Sequence, residues 1–248
     1  MAESMPQPVQ ELSVNGGELP ERYVYKKGEN GAPDVSYPTM EIPIIDLSLL
    51  ASQSAAGEEE LAKLRSALAS CGCFQAINHG MTASFLNQVR EIGKRFFALP
   101  VDEKKKCSRA VGDWEGYGTD SVLSEHQILD WTDRLYLKIY PEDKIKLRFW
   151  PENPENFRVD LYTLAVLCAQ IMSNGMFKSL VHRAVTNSER ERLTLAVFCL
   201  PDANMEIGPV EELIDEKRPR LYKIMKDYIA IYFENYQLGK RPIDAVKM

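Results

Sequence analysis

The spacing of apolar residues divides the chain into stretches of different character. Residues 1–38 are polar and broken by Pro6, Pro8, Gly16, Gly17, Gly28, Gly31, Pro33 and Pro38. That pattern predicts an irregular arm with a short helix near Val9–Leu12. Order is expected from Ile42-Pro43-Ile44-Ile45-Asp46-Leu47, a β-branched run suited to a buried strand, with Pro43 placing it near a sheet edge. Leu61, Leu64, Leu68 and Cys71 then recur at helical spacing behind Glu58-Glu59-Glu60, whose charge suits a helix N-terminus; Gly72 ends that helix. Cys73–Ile77 reads as a strand and Asn78-His79-Gly80 as a turn. A second helix is predicted from Thr82 to Leu99-Pro100, with Phe85, Val89, Ile92 and Phe96 on one face. Val101–Lys106 starts a short helix whose charges form a solvated face.

The second half is written differently. Gly112–Gly118 is rich in glycine and aromatics and is expected to be a loop. Asp130–Ile139 alternates toward its end and predicts a strand, and Pro151–Pro154 breaks the chain again. Val159–Ile171 is apolar without a clear period, and Ser173-Asn174-Gly175 is a turn signal. Val181–Thr186 and Leu193–Leu200 read as strands joined by polar Asn187–Glu191. A last helix is predicted from Pro219 to Leu238, with Gly239 past its end and Leu221, Ile224, Tyr228, Ile231 and Tyr232 packing inward. No repeat or low-complexity tract is visible. The order of elements gives an α+β protein and, by itself, no function.

Composition narrows the class. The net charge is −6, which argues against a general nucleic-acid binder with its basic face. No run is long and apolar enough to span a membrane, and Met1–Asn15 lacks the basic start and apolar stretch of a secretory signal. The five cysteines, Cys71, Cys73, Cys107, Cys168 and Cys199, fit neither a disulfide framework nor a zinc site. Reduced cysteines in a cytoplasmic protein are expected.

Several segments, in order, resemble the plant-type 2-oxoglutarate/Fe(II)-dependent dioxygenases (isopenicillin N synthase-like). Ile42–Leu47 looks like the opening strand of that family. Gly72–Gly80 resembles its "GFFQ-x-x-NHG" segment, with Cys73 where Phe is usual, and Phe96–Lys104 resembles "FF-x-LP-x-x-EK". Glu115-Gly116-Tyr117-Gly118 and Leu129-Asp130-Trp131-Thr132-Asp133 also match, as does the run from Ile171 through Val185 that would carry the distal iron histidine. Each motif is weak alone; the ordered set is specific and covers most of residues 40–240.

The resemblance implies a chemistry. The family binds Fe(II) through two histidines and one carboxylate on one face, leaving positions for bidentate 2-oxoglutarate and O2. Relatives oxidise a small, often aromatic, specialised metabolite while 2-oxoglutarate goes to succinate and CO2, with ascorbate a further cofactor in some cases. By position, His182 falls where the second iron histidine stands. Arg192 falls where an arginine pairs with the distal carboxylate of 2-oxoglutarate in a bidentate fork. Thr194 takes the place of the serine two residues on, and keeps its hydroxyl.

Much of that chemistry is missing. The chain has only His79, His126 and His182, and none begins the H-x-D motif that supplies the other two ligands. The similarity runs to Phe157-Arg158 and resumes at Ile171. The residues between are too few for the absent barrel strands, each of which takes about 5–6 residues before turns. The expected organisation is an irregular arm (1–38), a dioxygenase N-terminal domain (39–158), a junction (159–170) and a barrel remnant with a C-terminal helix (171–248). The fold expected is α+β, with an incomplete double-stranded β-helix, or jelly roll. An internally shortened product, by alternative splicing or by a mis-assembled gene model, is the simplest account. Two functional expectations follow: an oxygenase lineage without activity, or a non-catalytic protein that pairs with a full-length paralogue.

Overall fold

The computed structural model describes residues 7–14, 16–24, 40–110, 113–120, 122, 127–154, 157, 168–179, 182, 184, 186–187, 189–202, 204–238 and 240–248. Among these, helices α1 (Val9–Val14), α2 (Leu47–Leu50), α3 (Ala55–Ser70), α4 (Ala83–Phe97), α5 (Val101–Lys105), α6 (Ala169–Met172) and α7 (Tyr228–Gln237) occur in chain order. Four strands accompany them: β1 (Ile44–Asp46), β2 (Gln75–Ile77), β3 (Gly116–Gly118) and β4 (Arg134–Tyr136). The chain clusters into two compact units that interleave along the sequence. One comprises residues 1–37, 83–161 and 186–194; the other comprises 38–82, 162–185 and 195–248.

In the first unit the apolar periodicity is realised. Phe85, Val89, Ile92 and Phe96 all turn away from solvent along α4, and Phe96 is fully buried with Cys107 and Tyr117. Phe97, Leu99, Leu135 and Phe157 pack against that cluster. Within the stretch expected to be a loop, Gly116–Gly118 forms a strand. Tyr117 inserts into the core, and β3 pairs antiparallel with β4, Tyr117 opposite Leu135. The α1 helix is tied down from a distance. The Asp133 carboxylate accepts from the backbone N–H groups of Val9 at 2.8 Å and Gln10 at 3.0 Å, satisfying donors that a helix start leaves open.

In the second unit β1 and β2 pair in parallel, with Ile45 opposite Ala76. Ser54 caps α3 by accepting from the Gly57 N–H, and the helix presents Gly57, Glu60, Leu64, Ala67 and Leu68 inward. Leu61, expected on the packing face, is exposed. Glu60 takes the inner position because its carboxylate accepts the Asp46 N–H at 2.7 Å. The core of this unit is Ile171, Ile207, Tyr222, Tyr228 and Val246.

Two expectations for the C-terminal half are corrected. The last helix starts at Tyr228 and not at Pro219. Residues 219–225 give their backbone groups to remote partners: Asn174 holds the Pro219 carbonyl and the Leu221 N–H, and Met225 bridges Ile207. Asp227, at φ 50°, then caps the helix through the Ala230 N–H. Leu193–Leu200 carries no strand. Its apolar, β-prone sequence has no ladder to join among the described residues, and a strand's hydrophobic pattern specifies structure only against a partner. The alternate residues His182, Ala184 and Thr186 of the other expected strand also lie outside any strand; Val181, Arg183 and Val185 are not among the described residues.

Candidate functional site

The motifs of the N-terminal half resolve into structural contacts. Asp46, at the end of β1, caps α2 through the Ser48 N–H and accepts from Asn78 Nδ2 at 2.8 Å. Those hydrogen bonds, from Ser48 and then Asn78, hold its carboxyl below the usual range. The opening strand and the Asn78-His79-Gly80 turn therefore fasten each other. His79 accepts the Met81 N–H on Nδ1 at 3.2 Å, a local turn contact. Lys104 is buried; its ammonium donates to Gln10 Oε1 at 2.6 Å and to the Phe97 carbonyl at 3.1 Å, and lies over the Tyr117 ring. Burial lowers its pKa. Tyr117 itself is pushed well up by burial.

A half-buried charge cluster in the first unit was not foreseen from sequence. Arg134, on β4, pairs with Asp120 and stands 3.7 Å from Asp130. Burial raises the Asp120 carboxyl against the pull of Arg134, and burial also lowers Arg109 nearby. The one signal for it in the sequence was a charged residue inside an alternating strand. Glu115 is almost fully buried, accepts the Lys138 N–H at 3.2 Å and lies 4.0 Å from Lys146.

The three residues singled out by position are all exposed. Arg192 and Thr194 belong to the first unit and flank Leu193, whose side chain lies against α4. A Cβ at Gly93 would stand 3.2 Å from Leu193 Cδ2, so the glycine permits that close approach. Asn187 organises the preceding turn by accepting the N–H groups of Glu189 and Arg190. His182 belongs to the second unit and lies in no strand.

Among the described residues no three His, Cys, Asp or Glu side chains gather where a metal could bind. His126 and most of the 159–170 junction lie outside the described residues. With three histidines in the whole chain, none in H-x-D, and His79 engaged in its own turn, the donor set does not fit a two-histidine, one-carboxylate iron site. None of the five cysteines is in a disulfide, and no described helix is long and apolar enough to cross a membrane.

Comparison with known proteins agrees with the motifs. Residues 42–153 match the family model for the non-haem dioxygenase in morphine synthesis N-terminal region, and residues 137–201 match the 2OG-Fe(II) oxygenase superfamily. The 2-oxoglutarate-dependent dioxygenase 11 of Oryza sativa subsp. japonica is 28% identical over 329 aligned positions, covering 93% of this chain and 92% of that protein. S-norcoclaurine synthase 1 of Coptis japonica is 27% identical, covering 97% of each. Codeine O-demethylase of Papaver somniferum is 27% identical, covering 97% of this chain and 95% of that protein. The crystal structure of JOX2 in complex with 2OG, Fe and JA superposes with a TM-score of 0.77 at 21% identity, over 99% of this chain and 98% of that one. It shares the mixed helix-and-strand oxygenase fold. An alignment of 329 positions against a chain of 248 residues leaves at least 81 positions of the rice protein with no counterpart here. The matched domains and the relatives place this chain in the plant-type 2-oxoglutarate/Fe(II)-dependent oxygenase family, as a member whose sequence has no H-x-D motif.

Proposed function

We propose that this chain is a catalytically impaired form of an oxygenase whose complete relatives oxidise small specialised metabolites, with an incomplete jelly roll in place of the family's barrel. The observation that carries the proposal is the donor count: His182 alone remains at a family iron position, and one imidazole does not hold a catalytic metal. The shortfall of at least 81 aligned positions supports it, since the missing strands and the missing ligands belong to one stretch in the family pattern. Arg192 and Thr194 are then remnants of a 2-oxoglutarate site. Their exposure supports that reading, because a bidentate carboxylate fork is strong only when shielded from water. In this reading residues 39–158 keep the family's N-terminal domain and 171–248 its barrel remnant, and the protein is cytoplasmic.

The test is 2-oxoglutarate turnover by purified protein with Fe(II), ascorbate and a panel of aromatic metabolites. Succinate at the no-enzyme background is the expected result. Fe(II)-dependent succinate formation that His182→Ala abolishes overturns the proposal.

A further inference from the structure

Two of the five thiols stand one residue apart on a turn built around glycine. Cys71 caps the C-terminal end of α3 and Cys73 leads into β2; both are half-buried and free. Gly72 between them has φ 66°, in the left-handed region, and the chain bends there. A left-handed residue mirrors a helical one, so the Cα atoms on either side of it are drawn to about 5–6 Å. That lies inside the span of about 4.4–6.8 Å that a disulfide bridges. Cys107 and Cys168 pack into core clusters; Cys71 and Cys73 pack into none among the described residues. The Cys71 sulfur is 3.3 Å from the Ser70 hydroxyl, whose own proton goes to the Ser66 carbonyl. The thiol is the donor in that contact, and a thiol is a weak one.

The same turn is fastened to a remote segment of its own compact unit. The Cys71 and Gly72 N–H groups both donate to the Ala67 carbonyl at 2.9 Å, and the Lys178 N–H donates to the Leu68 carbonyl at 2.9 Å. A Cβ on Gly72 would stand 2.2 Å from the Lys178 carbonyl oxygen, so the backbone of residue 72 lies directly against Lys178. A rotation of the peptide units around Gly72 therefore presses on Lys178.

We infer that Cys71 and Cys73 form a reversible, peroxide-sensitive dithiol whose oxidation loosens the contact between the end of α3 and Lys178. Disulfides in a reducing compartment are transient, and a sensing thiol works with an accessible resolving thiol beside it. One thiol attacks hydrogen peroxide, becoming a sulfenic acid and releasing one water. The other thiol then attacks that sulfur and releases a second water. Two thiols and one peroxide become one disulfide and two waters, the thiols giving up two electrons to the peroxide oxygens. Closing so small a ring turns the peptide units on either side of Gly72. The inference is independent of the catalytic reading.

The test treats the full chain with hydrogen peroxide, blocks remaining thiols with an alkylating reagent and digests with trypsin. Residues 66–90 form one tryptic peptide that holds Cys71 and Cys73 and no other cysteine. That peptide should lose two hydrogen atoms and escape alkylation, and dithiothreitol should restore both alkylation sites. Cys71→Ser and Cys73→Ser should each abolish this reversible product. Amide exchange at Lys178 should speed up roughly five- to tenfold on oxidation, as when one hydrogen bond is lost, and in neither serine variant. The inference is overturned if peroxide leaves both thiols open to alkylation. It is equally overturned if they go to sulfinic acids or to another chain instead of to each other, or if their disulfide forms with Lys178 exchange unchanged.

Discussion

Replacing Asn174 should loosen the C-terminal half. Its backbone is left-handed, at φ 49°, and the residue is 7% exposed. Its Nδ2 donates to the Pro219 carbonyl at 3.0 Å and its Oδ1 accepts the Leu221 N–H at 2.8 Å, joining segments 45 and 47 residues apart. Alanine removes both bonds, worth about 0.5–1.5 kcal/mol each, and strands two partly buried backbone groups. Alanine also carries about 1 kcal/mol of left-handed strain that asparagine tolerates better. Asn174→Ala should therefore lose about 2–4 kcal/mol of stability. Asn174→Gly removes the same bonds without the strain and should lose less. Urea unfolding followed by circular dichroism reads both. If alanine stays within about 0.5 kcal/mol of wild type, the two bonds do not hold the 219–221 segment, and the explanation for the late helix start is wrong.

Three further outcomes follow from the contacts. Asp133→Ala should uncap α1 at a cost of about 1–2 kcal/mol, with amide exchange accelerating in Val9–Val14 and little elsewhere. Unchanged exchange there would remove Asp133 as the cap. Burial pushes the Cys107 thiol up to about 11, so the folded protein keeps a proton that the unfolded chain releases near pH 9. Stability should then fall between pH 9 and 11, by of order 2 kcal/mol from this group, and Cys107→Ala should flatten that fall. An identical alkaline slope in the variant would count against it. A thiol reagent at neutral pH should modify exposed Cys199 well before Cys107, which is protected until unfolding; equal rates would contradict the burial. Transcripts across codons 158–171 should include a longer form that encodes H-x-D, and its absence from the gene would rule out splicing as the origin of the shortening.

The N-terminal half was legible because its signals are local. Phe85, Val89, Ile92 and Phe96 define a face by spacing alone, and the Asn78 turn needs only a residue that tolerates positive φ, as does the Asn174 turn in the C-terminal half. The failures have a common cause. Glu60 took the inner position expected for Leu61 through one bond to Asp46; residues 219–225 abandoned a helix for partners at 174, 207 and 247; and Leu193–Leu200 finds no strand partner among the described residues. In each case the deciding group is far away in sequence. For the candidate site, the positions of His182, Arg192 and Thr194 came from motif order. That these three are exposed and divided between two compact units could not be read from spacing.

The central claim is that the chain lacks an iron site, and Fe(II) binding tests it without requiring the substrate. Anaerobic equilibrium dialysis of the full chain against Fe(II), with and without 2-oxoglutarate, should show no saturable equivalent bound. One equivalent of Fe(II), retained with 2-oxoglutarate and lost in His182→Ala, would contradict the account.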